Sequence, residues 1–181
     1  MCGRFQFTWH AEDARWCKED CRLRFSQLQQ QEVFPSEAVM IIVNSEAGLT
    51  AHSATWGFSL KNKRVINARL ETLSEKMLFK PFMNRRCVIP CDGYFEWMPQ
   101  GDKKIKLWIH HPLKKRLFLA AICNDAGEAA VLTMASEGWL KKVHDRMPLL
   151  LDEQGMNDYL QGRQQVKTQN ARLRVSRADQ R

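Results

Sequence analysis

Leu117-Phe118-Leu119-Ala120-Ala121-Ile122-Cys123, the cluster Asn124-Asp125-Ala126-Gly127, and Ala129-Ala130-Val131-Leu132-Thr133-Met134-Ala135 form the stretch on which the fold reading turns. A short apolar run bounded by polar punctuation suits a buried strand, and the cluster of turn formers returns the chain at once to a second run. Strands spaced that closely must pair antiparallel, since a parallel return needs a long crossover. The same rhythm holds upstream. Arg86–Ile89, Tyr94–Met98 and Lys104–His110 read as strands, the last two joined through Pro99-Gln100-Gly101-Asp102. Ala38–Asn44 and Leu49–Phe58 read as a hairpin through Ser45-Glu46-Ala47-Gly48, and Val65–Arg69 as a strand end. Helices are predicted from Ala11 to Gln30, from Ser74 to Met83 with an interruption at Pro81, from the cap Ser136 to Val143, and from the cap Asp152 to Gln161. The fold class is therefore α+β: a curved antiparallel sheet or partial barrel with peripheral helices, in a single domain over residues 1–181.

Composition narrows the function classes. The 28 Lys and Arg against 20 Asp and Glu leave a net charge of +8, the electrostatic footprint of a polyanion binder. Part of the excess gathers near the end, where Arg163, Lys167, Arg172, Arg174, Arg177 and Arg181 face Asp179. A solvated segment and a phosphate contact explain such a tail equally well. The N-terminus carries no charged-then-apolar leader and no apolar run approaches a membrane span, so a cytoplasmic protein with no membrane partner is expected. Its six cysteines, at 2, 17, 21, 87, 91 and 123, should be thiols in that compartment. Cys17 with Cys21 and Cys87 with Cys91 have a spacing found at zinc sites. Yet Ala14, Cys17, Cys21, Phe25 and Leu28 make one apolar helical stripe, which reads the first pair as small core residues. No metal and no cofactor are expected.

Met1-Cys2-Gly3-Arg4-Phe5 carries the chemistry. Methionine trimming proceeds when the next residue is small, and a chain beginning at Cys2 holds an amine and a thiol on one residue. Such a 1,2-aminothiol condenses with an aldehyde through nitrogen and closes a thiazolidine through sulfur. An α-amine titrates near 7.7 to 8.0 and a lysine near 10.4, so at about pH 7.5 roughly a third of the former is unprotonated, against roughly a thousandth of the latter. The amine is ready without an activating base. Residues 2 to 9 alternate as a half-buried strand would, which puts Cys2 and Arg4 on one face, with Arg4 suited to a phosphate. The plainer reading is a small residue at a frayed terminus.

Three further stretches join turn residues to able side chains. In Ile66-Asn67-Ala68-Arg69-Leu70-Glu71, the amide of Asn67 can orient an amine or a sugar hydroxyl. In Cys91-Asp92-Gly93-Tyr94-Phe95-Glu96-Trp97, Glu96 shares a strand face with Tyr94 and Met98 and can donate a proton. In His144-Asp145-Arg146-Met147-Pro148, His144 stands among polar groups after a helix. Singly, each also reads as a turn cap, a surface ion pair or a helix cap.

These four stretches, in this order, resemble the SOS response-associated peptidase (SRAP) family. Weaker echoes lie at Trp56-Gly57, Phe79-Lys80-Pro81-Phe82, Arg86-Cys87-Val88-Ile89-Pro90 and Val175-Ser176-Arg177. The resemblance implies a sensor and shield for abasic sites in single-stranded DNA within the DNA damage response. It also implies a crosslink between Cys2 and the sugar aldehyde, with lyase and autopeptidase-type activity. It gives Cys2 as nucleophile, Asn67 as the group positioning its amine, Glu96 as acid and base, and His144 as the aid to ring opening and strand cleavage. Arg4 and Arg69 would hold flanking phosphates. Single-stranded DNA with abasic sites is the implied partner, replication-fork proteins are candidates for others, and a nucleoid-associated monomer is expected. Trp56, Phe58 and Trp97 are candidates for stacking on bases, although core packing is the commoner fate of such rings. The chain departs from the family pattern in the short link from Ser59 to Arg64, in Glu32-Val33-Phe34 where Asn-Val-Ala is frequent, and in a short segment after Arg177. These bear on junction preference and DNA affinity.

Two other classes compete. An N-terminal-cysteine amidohydrolase would need Arg-Gly and Asn-Gly segments, and neither dipeptide occurs. A non-catalytic basic DNA-binding module would be indifferent to Cys2→Ser.

Overall fold

Strand follows strand because apolar runs of four to eight residues alternate with turn formers. The computed structural model describes residues 2–29, 31–163, 166, 168 and 173–180. Among them the strands are β1 (Arg4–Phe7), β2 (Gln31–Val33), β3 (Ala38–Ser45), β4 (Gly48–Trp56), β5 (Phe58–Leu60), β6 (Lys63–Val65), β7 (Asn67–Arg69) and β8 (Arg86–Cys91). They continue with β9 (Gly93–Gln100), β10 (Lys103–His110), β11 (Leu117–Cys123), β12 (Glu128–Ala135), β13 (Arg146–Pro148), β14 (Leu150–Leu151) and β15 (Arg174–Arg177). Two α-helices, α1 (Glu19–Phe25) and α2 (Glu153–Leu160), pack at the periphery. The α+β expectation holds.

One sheet runs β15-β10-β9-β1-β2, and a larger one runs β13-β12-β4-β3-β8-β11-β14 with β7 added beside β12. In the larger sheet β11 also pairs with β12, Ala121 opposite Val131, so the path β12-β4-β3-β8-β11 curls back on itself. This is the curvature expected of a partial barrel. The pairing is mostly antiparallel, but β12 runs parallel to β4 and to β7, an exception to the wholly antiparallel expectation. Both partners lie far upstream in the chain, so no short connection governs them. Both faces of this sheet are buried, with Ile42, Val88 and Ile122 on one and Leu119 and Val131 on the other, all excluded from solvent.

Helices differ more from expectation. The stretch from Ala11 to Gln30 is not one helix: a 3-10 segment, Ala11–Trp16, stops at Cys17, whose backbone bridges to Ala51, and α1 starts afresh at Glu19. Pinning Cys17 to a strand removes it from the helical ladder. Even so, Cys17 and Cys21 meet, their sulfurs 3.6 Å apart, and Cys17 lies 3.7 Å from the Met40 sulfur. Both behave as packing residues. Of the helix expected from Ser74 to Met83 only the 3-10 turn Lys80–Phe82 forms, and the helix after Ser136 shrinks to a 3-10 turn over Gly138–Lys142 with Glu137 at its cap. Asp152 caps α2 as expected, its carboxylate accepting the Gly155 N–H at 2.8 Å. In the basic tail, Arg163 pairs with Asp158 and Arg177 with Asp179, while Lys167, Arg172 and Arg181 lie outside the described residues. No helix among the described residues is long and apolar enough to cross a membrane.

Candidate functional site

The site forms where the two sheets meet, around the first residues of the chain. Cys2 precedes β1 and is fully buried. Its carbonyl accepts a 2.9 Å hydrogen bond from the Asn67 side-chain N–H at the start of β7, which ties the smaller sheet to the larger. The other end of that amide, Asn67 Oδ1, is buried with no hydrogen-bond partner among the described residues. An unsatisfied buried acceptor is costly and points to a missing donor. Glu96, on β9, is buried as well and close enough for its charge to act on the Cys2 thiol. Its Oε1 accepts the Trp97 N–H at 3.3 Å. Burial first, and then the Glu96 charge, push the Cys2 thiol up to about 12. The Tyr94 hydroxyl is raised by burial and by the charges of Cys2 and Glu96, so it belongs to the same group. Cys91, raised by burial, Asp92 and Cys2, adds a second thiol to the neighbourhood.

Arg4 does not share this face with Cys2, because β1 begins only at Arg4 and the alternation does not extend back to residue 2. In the β1–β9 ladder Arg4 lies opposite Phe95, and Phe5 opposite Tyr94. Tyr94 and Glu96 thus point to one side of the sheet and Arg4 to the other. On that outer side the Arg4 guanidinium stands 4.3 Å from the Phe34 ring and 5.2 Å from the Trp97 ring, and it pairs with Glu32 at 3.2 Å. Of the three rings considered for base stacking, only Trp97 is partly exposed. Trp56 is fully buried against Phe5, with its indole N–H donating to the Ile66 carbonyl, and Phe58 packs on Phe79 and Phe82. Both are core residues, excluded from stacking by burial.

His144 and Arg69 stand farther along. Asn67 pairs with Val131 of β12, Arg69 with Thr133, and Arg146 with Ala135. Four strand residues, roughly 13 Å, separate the level of Asn67 from that of Arg146, and His144 lies beyond it. Arg69 is exposed on the same side of β7 as Asn67. His144 has no recorded contact with Cys2, Asn67 or Glu96; it is tied to the stretch that carries Asn67 only at its far end, Glu71, through Arg146, a clasp that residue order alone did not reveal. Arg146 binds both oxygens of Glu71, at 2.8 and 2.9 Å, and also the Thr133 carbonyl at 2.7 Å. The Arg146 guanidinium holds the Glu71 carboxyl down to about 2. Two of the quoted stretches are thereby locked together across β12. The His144 Nδ1 atom accepts the Arg146 backbone N–H at 3.0 Å and also lies 2.5 Å from an Asp145 carboxylate oxygen. It can accept from the one or donate to the other, depending on where the ring carries its proton.

A second clasp sets the register of β1 on β9. Buried Arg116 donates to Asp92 at 2.8 Å, to the Thr8 carbonyl at 2.7 Å and to Asp13 at 2.5 Å, while the Asp92 N–H donates to the Gln6 carbonyl at 2.9 Å. No local pattern marks Arg116 in the sequence; its partners lie far away in the chain. Gly93 follows at φ +156°, where an added Cβ would lie 2.4 Å from the Ile109 carbonyl oxygen, so a side chain there would force β9 from β10. Among the described residues no group of three or more His, Cys, Asp or Glu side chains is arranged to hold a metal ion.

The sequence matches the family described as SOS response associated peptidase (SRAP) over residues 1–180. The abasic site processing protein YedK of Escherichia coli (strain K12) is 28% identical over 187 residues, covering 94% of this chain and 83% of that protein. The abasic site processing protein YoqW of Bacillus subtilis (strain 168) is 31% identical over 180 residues, covering 88% and 80%. Among solved structures, a protein of Bordetella bronchiseptica superposes with a TM-score of 0.79 at 17% identity, covering 98% of this chain and 99% of that one. A protein of Bacteroides thetaiotaomicron does so with a TM-score of 0.78 at 21% identity, covering 97% and 91%. At those identities the structural likeness is one of fold.

Proposed function

This chain belongs to the SOS response associated peptidase family, and on that premise we propose that it processes abasic sites in single-stranded DNA by trapping the ring-opened sugar aldehyde on Cys2. With Met1 removed, the Cys2 amine adds to the aldehyde carbon. Glu96 protonates the departing hydroxyl, and water leaves as the imine forms. The thiol then adds across the carbon–nitrogen double bond, its proton passing to nitrogen, and a thiazolidine closes. The order follows from the environment of the sulfur: a thiol pushed up to about 12 is neutral near pH 7 and is a poor leading nucleophile. The same argument weighs against an amidohydrolase, in which the thiol must attack first.

The observation that carries this reading is the Asn67 side chain. Its N–H already grips the Cys2 carbonyl, and its buried Oδ1, unpartnered among the described residues, is the acceptor that a newly freed Cys2 amine would satisfy. Glu96 supplies the proton within the same buried group. Arg69, exposed on the Asn67 side of β7, holds one flanking phosphate, and Arg4 holds another around the edge of the sheet. His144 assists opening of the sugar ring and strand cleavage by elimination, from the rim where the Arg146–Glu71 clasp fixes it.

The test is intact mass after incubation with an abasic single-stranded oligonucleotide. A covalent adduct lacking one water is expected, absent in Cys2→Ser and absent when Met1 is retained. An unchanged protein mass under conditions where DNA is bound would leave only a non-covalent binding module.

A further inference from the structure

Glu32 and Lys106 have no part in the chemistry above, yet Glu32 pairs with both Lys106 and the neighbouring Arg4. We propose that Glu32 is a built-in competitor for DNA phosphate: its carboxylate fills the place between Arg4 and Lys106 in the free protein and must be displaced when a phosphodiester binds. The proposal rests on the reading of Arg4 as a phosphate contact and adds Lys106 to it.

Strand register puts the three side chains on one face. Arg4 lies opposite Phe95, Gln6 opposite Glu32, and Lys106 opposite Trp97, so Arg4, Glu32, Trp97 and Lys106 all project to the outer side of the smaller sheet. Glu32 Oε1 is shared, 3.2 Å from the Arg4 guanidinium and 2.7 Å from Lys106 Nζ, and Oε2 lies 2.6 Å from the same ammonium. Both cations are held over aromatic rings. Arg4 stands on Phe34 and Trp97, and Lys106 lies 4.1 Å from the Phe95 centroid and 5.8 Å from that of Trp97. The rings fix the cations while leaving their donors turned toward a common oxyanion position.

Side-chain exposures of 37% for Arg4, 24% for Glu32 and 29% for Lys106 leave that position open to a ligand from solvent. A bound phosphate would take over the donors and leave the Glu32 carboxylate beside a like charge. Removing that charge should therefore favour DNA.

The experiment is equilibrium binding of the full chain to a single-stranded oligonucleotide carrying a tetrahydrofuran abasic analogue, which has no aldehyde and cannot be crosslinked. Glu32→Gln is expected to bind about three- to tenfold tighter at low salt, with the slope of log affinity against log salt steeper by about 0.7. Glu32→Asn carries the same expectation, so failure of one variant to fold leaves the other as the test. Lys106→Gln in the Glu32→Gln background should take back most of the gain. Equal or weaker binding by a folded neutral variant overturns the proposal and makes Glu32 an organiser of the cations. Crosslinking of the wild-type chain to an aldehyde-bearing oligonucleotide, measured in parallel, tests the underlying chemistry separately, since either result can fail while the other stands.

Discussion

The two faces of the β1–β9 ladder are made by alternate residues of the same strands, yet they present opposite environments. Inward lie Tyr94 and Glu96, next to Cys2 and Asn67, in a setting dry enough to push one thiol up to about 12. Outward lie Arg4, Trp97, Lys106 and Glu32, half open to water, where charges meet in pairs over aromatic rings. Burial makes proton position matter on the inner face, because an unpaired charge there is expensive. Exposure makes charge exchangeable on the outer one, because water and salt screen it. On the proposed function, a two-residue period thus separates bond making from DNA holding within a single ladder.

Substitutions can break that division. Glu96→Gln keeps the shape and removes the acid. Crosslink formation in single-turnover kinetics should slow by about a thousandfold with little change in the melting temperature. A near-normal rate would remove Glu96 from the inner face's chemistry. Asn67→Ala takes away both the grip on the Cys2 carbonyl and the waiting acceptor. The rate should fall by about thirtyfold, and stability should drop by about 1–3 kcal/mol because a buried carbonyl loses its donor. On the outer face, Trp97→Ala should weaken binding of single-stranded DNA by about tenfold in a fluorescence titration, with an unchanged crosslinking rate at saturating DNA. A slower rate at saturation would mean that the two faces are not separate.

The smallest effect on crosslinking is expected at a site that touches neither face. Glu128 accepts hydrogen bonds from Ser59, Asn124 and Arg64, pinning the β5–β6 hairpin to β12. Burial works against its charge, but these donors prevail and hold the carboxyl at about 2. A carboxylate depressed in the folded state lends stability that is complete above its unfolded value, near 4.5, and is lost as pH falls toward about 2. Glu128→Gln should flatten the fall in melting temperature across that window and lower the melting temperature at pH 7, while crosslinking at 25 °C stays as it was.

Local signals carried the strands well. The apolar run from Leu117 to Cys123, the hairpin through Ser45-Glu46-Ala47-Gly48 and the Asp152 cap all appear where chain chemistry alone puts them. What escaped was non-local. The break at Cys17 comes from a bridge to Ala51, and the parallel pairing of Asn67 with Val131 joins segments with no connecting turn. Within the site, the quoted stretches contained Asn67 and Glu96, and the structure brings both to Cys2. The Arg146–Glu71 clasp was present as letters but invisible as a pair, because its geometry depends on two strands flanking a third. Trp56 and Phe58 take the core fate that is the commoner one for such rings: a ring's chemistry is the same whether it stacks on a base or fills a core, and only burial tells them apart.

The curled larger sheet has a consequence for the handling of the protein. Residues Leu117 to Ile122 are paired along one side by β8, and on the other side β14 takes Phe118 and Leu119 while β12 takes Ala121 to Cys123. The stickiest segment of the chain therefore offers no free edge to a neighbouring molecule once folded. During refolding from denaturant, the same segment is a template for aggregation until β12 and β14 dock, so recovery should fall steeply as protein concentration rises.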